Sequence, residues 1–203
     1  EHMSHNTVTN PLKIILLLFL IASCSTLVED KNTNKNNVMY KIQSIDSNFS
    51  NLETLLFVDI DTQSLLHIKK GTVLKYYSIS SSYYGTGSKE NSLKTPLGRH
   101  EIYKKIGNGL PNNAILKGRV WNGAIADIIV EPIDTDFDHV TSRILWLDGL
   151  EEGRNKGKGI DSRNRYIYIH GTAEEGLIGK PASDGCIRTV SYTHLTLPTN
   201  GTV

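Results

Sequence analysis

Cys186 and His170 are the two residues of this 203-residue chain whose types and placing could together do covalent chemistry. A free thiol with a pKa of about 8.5 is only ~3% thiolate at pH 7, so it needs a base to become a good nucleophile. An imidazole within hydrogen-bond reach takes that proton and stays beside the sulfur as imidazolium. His170 is expected to end the strand-like run Tyr166-Ile167-Tyr168-Ile169-His170, with Gly171-Thr172 following. Cys186 stands in Ser183-Asp184-Gly185-Cys186-Ile187-Arg188, where Gly185 lets the chain turn tightly ahead of the thiol. Backbone N–H groups around Gly185 and Cys186 are candidates for an oxyanion hole. Alone, the pair is weak evidence, because a lone Cys is more often an inert buried hydrophobe and a lone His a surface or capping residue.

The elements that must position this pair read as strands. Thr54-Leu55-Leu56-Phe57-Val58-Asp59-Ile60, Leu65-Leu66-His67-Ile68 and Val73-Leu74-Lys75-Tyr76-Tyr77-Ser78-Ile79, separated by turn residues, predict a β-meander. Period-two alternation marks residues 99–106, 144–147 and 166–169 as further strands, while 122–130 reads equally as helix or strand. The Gly- and charge-rich stretch 151–165 reads as a mobile loop, either a flap whose Arg163 or Arg165 meets substrate carboxylates or a plain solvated hairpin. Residues 52–188 make one domain of ordinary size, mainly β, with a sandwich or barrel-like core and few short helices.

The N-terminus has a different character. Residues 14–22 are unbroken apolar behind Lys13, too short for the ~20 residues of a spanning helix and suited to a signal-peptide core. Ile21-Ala22-Ser23-Cys24 resembles the lipobox of bacterial lipoproteins, which implies cleavage after residue 23 and acylation of Cys24. Two or three acyl chains suffice for stable anchoring. Residues 24–51, with Glu29-Asp30-Lys31-Asn32-Thr33-Asn34-Lys35-Asn36-Asn37, are then expected to be a flexible polar tether. Cys186 would be the one thiol left after lipidation, and a thiol kept in an oxidising compartment risks damage unless it has a task. The expected location is the cell envelope, facing the periplasm or cell wall. With 22 Lys and Arg against 21 Asp and Glu, the near-neutral charge argues against a nucleic-acid partner.

The block His170-Gly171-Thr172 through Gly179-Lys180-Pro181-Ala182-Ser183-Asp184-Gly185-Cys186-Ile187-Arg188 resembles the signature of the L,D-transpeptidase (YkuD-like) catalytic domain. Val58-Asp59-Ile60-Asp61 leading to Ser80-Ser81-Ser82, and Thr95-Pro96-Leu97-Gly98, resemble that family's opening meander and its Thr-Pro-x-Gly turn. The resemblance implies attack by Cys186 on the L,D peptide bond of a peptidoglycan stem tetrapeptide, with His170 as base and then acid. D-alanine leaves, and the acyl group passes to an amine of a second stem peptide or to a lysine of a wall-linked protein. Water as acceptor would make a carboxypeptidase, and a non-catalytic wall-binding lipoprotein is the reading from another class. The resemblance further implies that Ser183 orients the loop and that Arg188 meets a substrate carboxylate or braces the loop. Thr172 and Asp184 complete the expected substrate contacts, and no metal or cofactor is needed. Asp184 departs from the family pattern, which commonly has His there. In an extended loop Asp184 and Arg188 would flank the thiol, so Asp184 could pair with Arg188, raise the thiol pKa or favour the imidazolium.

The C-terminal end departs as well. Val190-Ser191-Tyr192-Thr193-His194-Leu195-Thr196-Leu197-Pro198-Thr199 resembles, residue for residue, the translation of a transposase sequencing adapter. Residues 189–203 are therefore expected to be a non-native tail on a C-terminally truncated domain, with an unpaired sheet edge beside the cysteine loop.

Overall fold

A computed structural model describes residues 37–45 and 47–192. The expected signal segment, Cys24 and residues 193–203 lie outside them. The chain divides into two units, Glu1–Ser47 and Asn48–Val203. In the first, part of the expected tether is a helix over 37–45 with Val38 and Ile42, four apart on one face, buried.

The second unit opens with a 3-10 turn at Phe49–Asn51. Nine strands follow: β1 Leu55–Asp59, β2 Ser64–Lys69, β3 Thr72–Ser80, β4 His100–Ile106, β5 Ala114–Lys117, β6 Val120–Ile125, β7 Val140–Gly149, β8 Tyr168–Thr172 and β9 Ile187–Val190. They form one sheet in the order β1-β2-β3-β9-β8-β7-β5-β6, with β4 also paired to β7, and the sheet does not close. The fold is mainly β, and the meander of β1 to β3 is as the sequence predicts. Between β2 and β3, Lys70 (φ 47°) and Gly71 (φ 72°) both take positive φ, the two-residue turn whose twist suits a hairpin.

Of the ambiguous stretch 122–130, residues 126–130 are neither helix nor strand, and residues 122–125 belong to the strand β6, exposed along its whole length. With no buried face, it carries no periodicity to betray it. The stretch 151–165 is pinned rather than mobile. Asn155, fully buried, donates from Nδ2 to the carbonyls of Leu97 (3.1 Å) and Arg99 (3.0 Å) and accepts from the Glu151 N–H (2.9 Å). Ser162, equally buried, bonds the His100 ring at 2.9 Å.

Register in the middle of the sheet positions the site. β8 and β9 run parallel with Ile169 beside Ile187 and His170 beside Arg188. β7 lies antiparallel on the other side, with Ile144 opposite His170 and Trp146 opposite Tyr168. Leu145, Leu147, Ile167, Ile169 and Ile187 point to one face, where they join Leu56, Leu65 and Ile79 in the main core. Alternation along each strand then sends Ile144, Trp146, Tyr168, His170 and Arg188 to the opposite face. A slip of one residue would put this polar set into the core, so burial of the aliphatic set locks the register. Gly171 allows the close pairing: a Cβ there would stand 2.8 Å from Thr141 Oγ1 and 2.9 Å from the Thr141 carbonyl.

Among the described residues β9, the strand after the cysteine loop, is not a sheet edge. β9 has β3 on one side and β8 on the other, and Thr189 and Val190 continue it opposite Gly171 and Thr172. A parallel pair needs a long crossover, and residues 173–186 supply it, delivering Cys186 to the start of an interior strand.

Candidate active site

The turn ahead of Cys186 is held from three directions. Inside it, Ser183 Oγ donates to the Cys186 carbonyl (2.5 Å) and accepts from the Gly185 N–H (3.3 Å). From the end of the meander, the Ser81 carbonyl accepts the N–H groups of Ala182 (2.8 Å) and Ser183 (2.9 Å), and the Tyr83 N–H donates to the Ser183 carbonyl (2.9 Å). From the Thr-Pro-x-Gly turn, Thr95 Oγ1 donates to the Gly185 carbonyl (3.0 Å) and accepts from the Ser82 N–H (3.0 Å). The three sequence blocks quoted for the family resemblance thus meet around one loop. Gly185 sits at φ 116°, a left-handed value that disfavours any side chain, and a Cβ would press to 3.3 Å on the Leu93 and Lys94 carbonyls. Its N–H, expected as an oxyanion donor, is turned to Ser183.

Cys186 is half-buried, packed with Ile144, Val140 and Tyr168 on the face opposite the main core. Its Sγ makes a long contact of 3.5 Å to the Tyr166 carbonyl. Burial pushes the thiol up to about 12; the Tyr168 backbone N–H, Arg188 and Arg165 pull it down, and Asp138 pushes it further up. The anion acting on the thiol is Asp138, because Asp184 points to solvent after Gly185 breaks the extended course.

His170 lies inside β8 rather than at its end and is 2% exposed. Its Nδ1 stands 2.8 Å from the Gly171 carbonyl. A carbonyl can only accept, so Nδ1 carries the proton and Nε2 keeps its lone pair, the tautomer a general base requires. Burial lowers the His170 pKa; Asp138 and the Gly171 carbonyl oppose this, and Arg188 adds to it. The resting site therefore holds a neutral imidazole on β8 and a neutral thiol on the residue just before β9.

Arg188, expected either to meet a substrate carboxylate or to brace the loop, is buried and paired with Glu174 and Asp138. It is 2% exposed, with Nη1 donating to Glu174 Oε2 (2.8 Å) and Nη2 2.8 Å from Asp138 Oδ1. The second contact is a close charge pair without hydrogen-bond angles, since Asp138 Oδ1 has no hydrogen-bond partner. Asp184 takes no part in the pair. Glu174, 1% exposed, also accepts from the Thr135 N–H (2.8 Å) and hydroxyl (2.6 Å). Thr172, expected as a substrate contact, is fully buried and accepts from the Glu174 N–H and the Ser191 hydroxyl. Glu174 and Asp138 escape notice in the sequence because nothing local distinguishes them from surface acids. Removing Glu174 takes from the buried Arg188 its one hydrogen-bonded carboxylate and leaves it with Asp138 alone. Glu174→Ala is expected to cost about 3–5 kcal/mol of stability, read from urea unfolding, and a loss below about 1 kcal/mol would show that the buried pair is not holding the crossover.

Beside the thiol, Trp146 gathers Tyr103 (5.4 Å between ring centroids), Tyr166 (5.6 Å) and Tyr168 (5.8 Å). A pocket of about 270 Å³ opens over Tyr103, Trp146, Arg163, Asn164 and Tyr166. Of the two arginines of the 151–165 stretch, Arg165 donates to the carbonyls of Gly87 (3.2 Å) and Lys94 (2.7 Å), and Arg163 lies 3.3 Å from Asp148 and 5.0 Å from the Tyr103 centroid. Among the described residues no group of three His, Cys, Asp or Glu is placed to hold a metal ion.

The family model of the YkuD L,D-transpeptidase catalytic domain matches residues 53–194, and the chain belongs to that family. The match takes in the meander, the Thr-Pro-x-Gly turn, both candidate residues and all of β9. No curated protein matches the chain. Among solved structures, it is similar to an L,D-transpeptidase from Mycobacterium smegmatis (15% identity, 74% of this chain and 57% of that one, TM-score 0.39). It is similar also to residues 123–326 of the L,D-transpeptidase from Xylanimonas cellulosilytica DSM 15894 (16%, 74% and 58%, 0.40). A third is L,D-transpeptidase 3 from Mycobacterium tuberculosis in complex with a faropenem-derived adduct (13%, 68% and 52%, 0.39). This chain spans less than three-fifths of the length of each.

Proposed function

We propose that this protein is a peptidoglycan L,D-transpeptidase that works through a Cys186 thioester. The observation that carries the reading is the His170 imidazole, fixed by the Gly171 carbonyl with Nε2 free of its proton, on the strand beside the one Cys186 opens. As the thiol attacks the carbonyl between the third and fourth residues of a stem tetrapeptide, its proton passes to Nε2. The tetrahedral intermediate collapses, the C–N bond breaks, and the same proton leaves on the amine of D-alanine. An acceptor amine then attacks the thioester, loses its proton to Nε2 and returns the thiol. Water in the same place gives a carboxypeptidase.

Starting from neutral partners suits this sequence, because sulfur becomes thiolate only as the carbonyl is attacked. Incubating the domain with a tetrapeptide donor, with and without an amine acceptor, and weighing the products tests the reading. A crosslinked product identifies a transferase and a tripeptide alone a hydrolase, while an unchanged donor would sink both and leave a wall-binding role. The apolar run before Cys24 supports an envelope location, and failure of a palmitate analogue to label Cys24 in cells would remove the lipid anchor.

A further inference from the structure

The arginines around the candidate site are not equivalent. Arg188 is committed to Glu174 and Asp138, Arg165 to two carbonyls, and Arg163 lies against Asp148. Arg119 differs. It sits at the tip of the β5–β6 hairpin, where Gly118 (φ 57°) and Arg119 (φ 70°) form a two-residue turn between the paired Lys117 and Val120. The second position of such a turn favours glycine or asparagine, so an arginine there costs backbone strain. Its guanidinium carbon lies 4.8 Å from the Tyr166 centroid and 5.0 Å from that of Trp146, and Nη1 donates to the Tyr168 hydroxyl at 3.2 Å. Among the described residues it meets no carboxylate.

Tyr168 links this cation to the candidate nucleophile. Tyr168 packs in one cluster with Ile144 and Cys186, and its hydroxyl accepts from Arg119, so a single residue joins the thiol's surroundings to the guanidinium. The guanidinium lies over two ring faces and spends Nη1 on the Tyr168 hydroxyl, which leaves its other donors to form a fork, the geometry that matches a carboxylate. A donor whose scissile carbonyl meets the thiol carries its terminal carboxylate on the next residue. We propose that Arg119 binds that terminal carboxylate, the one on the residue to be released, and so selects stem peptides that end one residue past the scissile bond. This rests on the donor assigned above and adds the residue that reads the donor's end.

The test measures binding apart from turnover. In Cys186→Ala protein carrying Trp121→Phe, Trp146 is the sole tryptophan and its fluorescence reports the pocket. Tetrapeptide acid should bind about ten- to a hundredfold more tightly than the same peptide as its C-terminal primary amide. Arg119→Gln should weaken the acid to the level of the amide and leave the amide unchanged. Arg119→Gly, which the turn prefers, should do the same while raising the melting temperature. With Cys186 restored, both variants should raise KM for the acid donor more than they lower kcat. Equal binding of acid and amide by the unsubstituted Arg119 protein, or an acid preference that survives Arg119→Gln, overturns the assignment of Arg119 alone. Absence of any tetrapeptide binding overturns the donor reading together with it.

Discussion

Cys186→Ala protein should fold normally and release no D-alanine from a tetrapeptide donor. The substitution deletes one sulfur from a half-buried position whose hydrogen bond to Tyr166 is already long, so the fold loses little. The loop keeps its shape through Ser183, Thr95 and the Ser81 carbonyl, all independent of the thiol. Chemistry, by contrast, loses the atom that would form the thioester, and no other thiol exists among the described residues. Intact-mass spectrometry should show an acyl adduct on the parent protein and none on the variant. Continued D-alanine release by well-folded Cys186→Ala would refute the covalent mechanism outright.

Replacing His170 by alanine should slow acylation by ~10²–10⁴-fold, the usual contribution of general acid–base help. The pH profile separates this from mere loss of packing. In the parent, the base is active once its imidazole is neutral; burial lowers that pKa below the ordinary histidine value, so the rate should rise in the acid range and level off across neutrality. Without His170 the sulfur must ionise unaided, and its pKa stands at about 12. The rate should then climb about tenfold per pH unit from neutral to strongly alkaline conditions, because the thiolate fraction does so below its pKa. A variant that keeps the parent's level profile, or loses less than tenfold, would show that some other group takes the proton.

The strands and the tight turn ahead of Cys186 were legible in the sequence because both signals are local. Alternation along residues 144–147 and 166–169 reports a face without reference to any neighbour, and Gly185-Cys186 marks a tight turn by its composition. The quoted resemblance extended this to Thr95-Pro96-Leu97-Gly98, although only the fold shows Thr95 reaching the Gly185 carbonyl. The stretch 151–165 misled for the converse reason: its polar composition says loop, while the burial of Asn155 that pins it depends on carbonyls of residues 97 and 99.

What tertiary structure decided are the pairings between distant parts of the chain. Parallel pairing of β8 with β9 sets His170 beside Arg188 and brings Cys186 to the same face, and no local pattern encodes which strands become neighbours. Arg188 turns inward to Glu174 and Asp138 because burying a guanidinium is tolerable only where carboxylates meet it. Arg119, unremarkable in sequence, gains its place by the Tyr168 hydroxyl and two aromatic faces from separate strands and loops. Residue types along the chain determined which chemistry was available. The sheet's register, locked by its buried aliphatic face, decided which of those groups meet.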